Sequence, residues 1–295
     1  MANLVTAGLD GSAESAEAAR WAAREADLRG VPLLLVHVEE RMERPLHGGA
    51  SGEVQEHWAN ALLRDALEEA NRLYPCLEVS SRRLKGVPAK VLADAAASSD
   101  MLVLGSRGLG SIAGFVLGSV GAGTIAATDQ PVVLVRGPHG PDTDPGVRRS
   151  DGAIVVGVDT ERPCDALLSF AFDEAARRGC VLRVLHSWTP PPVLGYGYGY
   201  GYDLDPSAQQ EIGRSIATAV DEMIRPWSEK YPAVTVAPEV RVGQSAVQLV
   251  DASQGAALVV VGRRIRHSAY GTHIGSVAHA VLHHSCAPVA VIAHE

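Results

Sequence analysis

The chain has 295 residues, a formal net charge of −8 and 46% hydrophobic residues, of which few are aromatic. This length allows two domains, each large enough to bury its own core. The acidic balance argues against binding to nucleic acid or to anionic membranes, and no apolar run approaches the roughly 20 residues that cross a bilayer. The amino terminus shows no signal-peptide pattern, so we expect a cytoplasmic protein.

The first half of the chain alternates short apolar runs with helical patterns. Ser12 is the predicted N-cap of the first helix, and Gly30 ends that helix. The runs LLLVHV, MLVLG and VVLV are continuously apolar, which is typical of strands buried on both faces. Their alternation with helices predicts parallel βαβ units in an α/β domain. The pattern predicts strands at 3–9, 32–38, 77–84, 101–105 and 132–136, and helices at 12–29, 53–73, 88–98 and 119–129.

The second half of the chain repeats the first. LVTAGLD at 4–10 returns as AIVVGVD at 153–159, and YPCLEV at 74–79 returns as YPAVTV at 231–236. Matching residues lie 149 positions apart in the first block, as Gly30 and Gly179 or His37 and His186 do, and 157 positions apart in the second, as Gly105 and Gly262 do. A tandem duplication explains both offsets and predicts domains at 1–137 and 153–295, with a linker at 138–152.

An insertion, PPPVLGYGYGYGYDLDP at 190–206, accounts for the change of offset. The three prolines that open it resist helix formation, and alternating Gly and Tyr offers no face to a core, which favours a mobile surface loop. The alternative is a tyrosine-bearing lid or partner contact. The insertion follows the second strand of its copy, on the edge where ligands of open α/β sheets bind.

Five glycines occur within the fifteen residues GSRGLGSIAGFVLGS at 105–119, between a predicted strand and a predicted helix. Small residues let backbone N–H groups wrap an anion, and the start of a helix favours negative charge. The loop lacks the lysine of a Walker A motif, and it continues too far before its helix for a dinucleotide-binding fingerprint. The loop predicts a phosphate site, to which Arg107 and Ser119 add charge and a hydroxyl donor.

Polar residues elsewhere carry weaker signals. Asp10 follows the first strand, where a carboxylate could contact a nucleoside, support a divalent ion or cap the next helix; its position leaves these interpretations open. His37 and His186 lie in matching apolar strands and are interpreted as structural histidines with satisfied hydrogen bonds. The four cysteines are scattered and predict neither a metal site nor a disulfide: Cys76, Cys164, Cys180 and Cys286.

The stretches LVTAGLDGS, LLLVHV and GSRGLGSIAGFVLGSV, in this order, resemble the universal stress protein family. The spacing G-x2-G-x9-G-S is similar to the ATP-binding signature of that family's nucleotide-binding branch. The resemblance implies two tandem Rossmann-like (adenine nucleotide alpha hydrolase-like) domains, each a five-stranded parallel sheet of order 3-2-1-4-5 with helices on both faces. It also implies bound ATP, with or without Mg²⁺, held by Gly8, Asp10, Val38, Gly105, Arg107, Gly108, Gly110, Gly118, Ser119 and Val120.

The second copy departs from this pattern. Ile265 stands where the second glycine belongs, and a β-branched residue would crowd a closely approaching phosphate. Either the second site is weakened or empty, or the basic residues Arg263, Arg264, Arg266 and His267 replace the lost backbone contacts. Thr160 also replaces the glycine that follows the aspartate. The second candidate site comprises Gly157, Asp159, Gly262, Arg264, Gly275, Ser276 and Val277.

The resemblance implies a nucleotide-responsive regulator in the stress response. No dedicated catalytic base accompanies the loop, so any ATP hydrolysis should be slow and incidental. A slow ATP-hydrolysing or nucleotidyl-transferring enzyme and a non-nucleotide interaction scaffold are the alternatives. Domains of this family typically pair through their last strands, so the runs at 132–135 and 289–292 could form an internal pseudo-dimer. A homodimer of two chains is left open.

Overall fold

The structure is a computed structural model that describes residues 3–40, 52–106, 118–137, 152–190, 206–265 and 274–295. Strands and helices alternate along both halves of the chain. The first half contains β1 (Val5–Leu9), α1 (Ala13–Arg29), β2 (Leu33–Glu39), α2 (Gly52–Leu73), β3 (Val79–Lys85), α3 (Pro88–Ala96), β4 (Met101–Ser106), α4 (Ser119–Ala127) and β5 (Val132–Arg136). The second contains β6 (Ile154–Gly157), α5 (Asp165–Arg178), β7 (Leu182–Trp188), α6 (Pro206–Lys230), β8 (Val236–Val242), α7 (Ser245–Ala252), β9 (Leu258–Arg264), α8 (Ser276–His284) and β10 (Val289–His294).

The strands form one ten-stranded sheet in the order β3-β2-β1-β4-β5-β10-β9-β6-β7-β8. Each half has the predicted order 3-2-1-4-5 with parallel neighbours. The halves join where β5 and β10 pair antiparallel, with Val132 opposite Val291 and Leu134 opposite Val289. The two five-stranded halves thus form one continuous sheet through the pairing expected of the runs at 132–135 and 289–292, and each half covers the open edge of the other's last strand.

Helices cover both faces of this sheet. Helices α1, α2, α5 and α6 pack on one face, and α3, α4, α7 and α8 pack on the other. Alanines make the close packing of α1 possible, since Ala18, Ala22, Ala23 and Ala26 are fully buried. The side chain of Ser12 accepts a hydrogen bond from the Ser15 N–H, as expected of the N-cap. Small, apolar side chains thus let the α1 backbone lie near the strands.

Four buried charges meet where α1 and α5 cross between the two halves. Glu25 and Glu174 are 1% and 0% exposed, and each carboxylate bonds both Arg29 and Arg178. The repeat offset of 149 residues relates the two glutamates and likewise the two arginines. Each guanidinium also lies over an aromatic ring of the other helix, 5.9 Å from the ring centroid. This ionic cluster is therefore a pseudo-symmetric part of the domain interface.

Several predicted features lie outside the described residues, namely the Gly-Tyr insertion, the linker up to 151 and the glycine loop from 107 to 117. In the described part of the chain, no helix is long and apolar enough to cross a membrane. The four cysteines are free thiols, as the sequence predicts.

Candidate functional site

A cleft of about 280 Å³ opens at the carboxyl ends of β1, β2 and β4, and we call it cleft 1. Parallel α/β sheets bind ligands at this edge, where the strand order reverses. Seven of the ten residues that the resemblance implies for ATP line cleft 1: Gly8, Asp10, Val38, Gly105, Gly118, Ser119 and Val120. The other three, Arg107, Gly108 and Gly110, lie outside the described residues.

Two of the candidate glycines are required by packing. A Cβ at Gly8 would lie 2.6 Å from a methyl carbon of Leu104. A Cβ at Gly105 would lie 2.6 Å from the backbone of Glu14 and of Ser15, at the start of α1. Both residues line cleft 1, but the close approach of protein atoms already explains why they lack a side chain.

Gly118 is different, because no described part of the fold demands a glycine there. A Cβ at this position would meet no atom of the described residues within 4 Å. The backbone angles, φ −60° and ψ 150°, are open to any residue, and Gly118 is the N-cap of α4 without a side-chain cap. The N–H groups of the first helical turn have no partners within the helix. Gly118 therefore leaves the amino end of α4 accessible from cleft 1.

Asp10 organises the start of α1 while facing cleft 1. Its Oδ1 accepts hydrogen bonds from the Ser12 backbone N–H at 3.0 Å and the Ser12 hydroxyl at 2.5 Å. Ser12 in turn caps α1. The capping interpretation of Asp10 thus holds indirectly, through Ser12. The Asp10 residue is exposed, so the carboxylate is also accessible to a ligand.

Trp58 of α2 lies beside the β1–α1 turn, and no sequence motif indicated this position. A Cβ at Gly11, which has φ +83°, would lie 2.4 Å from the Trp58 ring. The ring also meets His37 edge-on at 5.5 Å and is half exposed. His37 Nδ1 donates to the Leu9 carbonyl at 2.7 Å, as expected of a structural histidine. His186 repeats this bond to Val158 at 3.0 Å.

Three polar residues of cleft 1 were missed at the sequence level: Ser15, Glu40 and Ser106. Glu40 directly follows β2, and Ser106 is the last residue of β4. Their positions at the carboxyl ends of strands were a usable signal, since such residues face the ligand edge. Ser15 lies within α1, and only the tertiary packing brings it to the cleft.

The second half has a larger cleft of about 530 Å³ at the equivalent edge, which we call cleft 2. Gly157, Asp159, Gly262, Arg264 and Val277 line it, and Gly275 and Ser276 lie beside it at the start of α8. Helix α1 begins three residues after Asp10, whereas α5 begins later, six residues after Asp159. Helix α5 therefore lacks the residues that match the first turn of α1.

The lining of cleft 2 also differs in chemistry from that of cleft 1. Arg162, Trp188 and Arg264 line it. The backbone N–H of Ile265 donates to the His294 carbonyl at 2.6 Å, so this donor is directed to protein. The second copy therefore has neither the glycine of the first copy at this position nor a backbone N–H that is available to a ligand.

One basic residue of the second copy was wrongly assigned to its loop. Arg263 is 3% exposed and donates from Nη2 to the Thr128 carbonyl of the first half at 2.8 Å. Burial lowers the pKa of the Arg263 guanidinium, and the Asp129 carboxylate at 3.7 Å partly offsets this shift. Successive side chains of a strand point to opposite faces, so Arg263 points away from the cleft that its neighbour Arg264 lines. Arg266 and His267 lie outside the described residues.

Comparison with known proteins assigns the chain to a family. The family model described as "Universal stress protein family" matches residues 1–136 and 152–293. The chain belongs to the universal stress protein family. A universal stress protein of Mycolicibacterium smegmatis is 32% identical over 98% of this chain and 96% of its own length. One from Mycobacterium tuberculosis is 33% identical over 97% of this chain and 96% of its own length.

A solved structure supports the fold of this tandem universal stress protein. The crystal structure of a universal stress protein from Archaeoglobus fulgidus superposes with a TM-score of 0.72 and covers all of both chains. The two chains are 16% identical, so this likeness concerns the fold alone. The overall fold of this chain is thus one that a solved universal stress protein shares.

Proposed function

We propose that this universal stress protein binds ATP in cleft 1 and acts as a nucleotide-responsive regulator in the stress response, in the cytoplasm. The observation that carries the proposal is Gly118, a glycine that neither its backbone conformation nor packing against the described residues requires. A phosphate approaching the unpaired N–H groups of α4 needs the space that a side chain would fill. Ser119, the next residue, is exposed and adds a hydroxyl donor.

The opposite end of cleft 1 suits the nucleoside. Val38 near the end of β2 and Gly8 in β1 provide apolar surface and strand-end backbone. Asp10 lines the same cleft as this surface and the amino end of α4. A Mg²⁺ ion that accompanies nucleotide phosphates typically takes one or two protein carboxylates and several waters. Asp10 is the residue that we propose to support such an ion.

For cleft 2 we propose weaker nucleotide binding than for cleft 1. The N–H of Ile265 bonds the His294 carbonyl, and the Ile265 side chain replaces a glycine of the first copy. Arg162 and Arg264 supply positive charge, but exposed cations are screened by water and salt. Cleft 2 has a helix start beside it, with Gly275 as the N-cap of α8, so we propose that the loss comes from the loop at Ile265.

Substitution at Gly118 tests the proposal. Asp is a favourable N-cap, so Gly118→Asp should keep or increase the stability of α4. Its carboxylate would occupy the place of a phosphate, and like charges in contact cost several kcal/mol. We expect ATP affinity to fall at least roughly tenfold. Gly118→Ser, a neutral residue with the same capping ability, is the matched control and should bind ATP much more tightly than Gly118→Asp.

The measurement combines mass spectrometry of ligand released from the native protein with calorimetric titration of ATP. Gly275→Asp places the same charge at the start of α8 and should leave the main binding event unchanged. Absence of both copurifying adenine nucleotide and ATP binding at millimolar ligand would refute the proposal. If Gly118→Asp and Gly118→Ser bind ATP with equal affinity, the phosphates of ATP do not bind at the amino end of α4. Steady turnover that Asp10→Ala abolishes, with binding retained, would favour an enzyme.

A further inference from the structure

Helix α4 receives its C-terminal cation from the other domain. Its own sequence has no basic residue in the last turn and no acidic residue in the first. Arg263, in β9 of the second domain, donates to the carbonyl of Thr128, which is the C-cap of α4. Since Arg263 is 3% exposed, water screens this charge only weakly at the helix end.

The two ends of α4 face different parts of the protein. Its amino end, Gly118 to Val120, lines cleft 1, and its carboxyl end meets Arg263. The helix has nine residues, so the ends lie about 13 Å apart along one rigid element. A cation at the carboxyl end of a helix complements the helix dipole, and its field also favours an anion at the amino end.

We propose that Arg263 is a positioning residue for the nucleotide of cleft 1, acting through α4. The inference rests on the proposed binding of ATP and adds to it that the second domain contributes to the affinity of the first. The charge of Asp129, 3.7 Å from Arg263, opposes the effect only partly, because Asp129 is 74% exposed. Arg263 touches no ligand in this arrangement; it holds and polarises the helix that does.

A similar contact occurs in the opposite direction. Arg136, at the end of β5 in the first domain, donates to the Leu282 carbonyl at 3.4 Å. Leu282 lies in the last turn of α8, and Val277 near the start of α8 lines cleft 2. Arg136 and Arg263 are not related by the repeat offset, since Ser106 occupies the position that matches Arg263. Each domain thus places an arginine on the carboxyl end of the other's cleft helix.

The test titrates ATP and adenosine into full-length variants. Arg263→Met removes the charge and keeps the length of the side chain, and we expect ATP affinity to fall roughly threefold to tenfold. Adenosine affinity should not change, because the effect acts on phosphate charge. Arg263→Lys keeps a charge and should retain most of the ATP affinity. Arg241→Met removes a cation of β8 in the second domain and serves as the matched control.

Each outcome is decisive. An equal loss of ATP and adenosine affinity in Arg263→Met would show a merely structural role and overturn the inference, as would unchanged ATP affinity. If Arg263→Met does not fold, Arg263→Lys and Asp129→Asn replace it. The charge effect is contradicted if Arg263→Lys loses much of the ATP affinity. It is also contradicted if Asp129→Asn binds ATP more weakly than wild type. If the wild-type protein binds no ATP, the proposed function itself fails; if it binds normally, only this inference is at stake.

Discussion

Glu174→Gln should change how the stability of the protein depends on pH. Glu174 is fully buried between Arg29 and Arg178, and the carboxylate of Glu25 bonds the same two arginines. Burial, and then the negative charge of Glu25, raise the pKa of Glu174 to about 7, although both arginines oppose the shift. Burial alone would also raise the pKa of Glu25, but Arg178 and Arg29 outweigh it and lower that pKa.

The sign of the effect follows from the raised pKa of Glu174. Its value of about 7 lies above the usual 4.5, so between these pH values the folded protein holds a proton that the unfolded chain has lost. The stabilisation from this group is complete below pH 4.5 and is lost as the pH rises through 7. From the two pKa values, the free energy of unfolding should fall by roughly 2–3 kcal/mol between pH 5 and pH 8.

Gln resembles the protonated carboxyl and cannot titrate. The free energy of unfolding of Glu174→Gln should therefore lack this fall. The value for wild type should drop relative to that of the variant by roughly 2–3 kcal/mol from pH 5 to pH 8. Urea denaturation followed by circular dichroism at four pH values in this range measures it. Glu68→Gln removes a carboxylate of α2 that is 70% exposed and should follow wild type.

Parallel pH profiles for wild type and Glu174→Gln would refute this reasoning. Glu25→Gln gives a second check, because removing the neighbouring negative charge should lower the pKa of Glu174. The fall in stability would then begin at lower pH than in wild type. An unshifted fall in Glu25→Gln would show that the two carboxylates do not interact as their shared arginines indicate.

Three further substitutions test the local structure around cleft 1. Gly105→Ala should destabilise the fold by about 1–3 kcal/mol, since its Cβ would lie 2.6 Å from the α1 backbone; denaturation of Gly118→Ala, where space is open, should show a smaller loss. Ser12→Ala removes the N-cap of α1 and should cost about 1 kcal/mol in the same assay, and an unchanged midpoint would contradict the cap. Gly11→Ala should displace the Trp58 ring and alter tryptophan fluorescence, whereas Thr160→Ala, at the matching turn, should not.

Much of the fold was predictable because its signals are local. Continuous apolar runs indicated buried parallel strands, and Ser12 and Gly30 marked the ends of α1 as the structure has them. The repeat offsets also indicated that each half forms the same strand order. The pairing of the runs at 132–135 and 289–292 followed from the family resemblance, and the structure shows that pairing. The described glycine-loop residues that the resemblance implied do line one cleft.

Other features depend on contacts between residues far apart in the chain. The sequence presents Gly105 and Gly118 as members of one motif, yet only the neighbouring atoms show that Gly105 accommodates α1 and Gly118 faces open space. The sequence predicts Arg263 as part of a basic loop. In the structure it lies in β9 and donates to the carbonyl of Thr128 in the other domain.

The sequence by itself determined the duplicated α/β architecture, because apolar periodicity, caps and repeats are encoded in neighbouring residues. Tertiary structure alone decided which glycine is open to a ligand, that Glu25, Arg29, Glu174 and Arg178 form one buried cluster, and that cleft 2 exceeds cleft 1 in volume. The physical reason is that burial, charge pairing and free space are properties of three-dimensional neighbours, which the chain brings together only when the two halves pack.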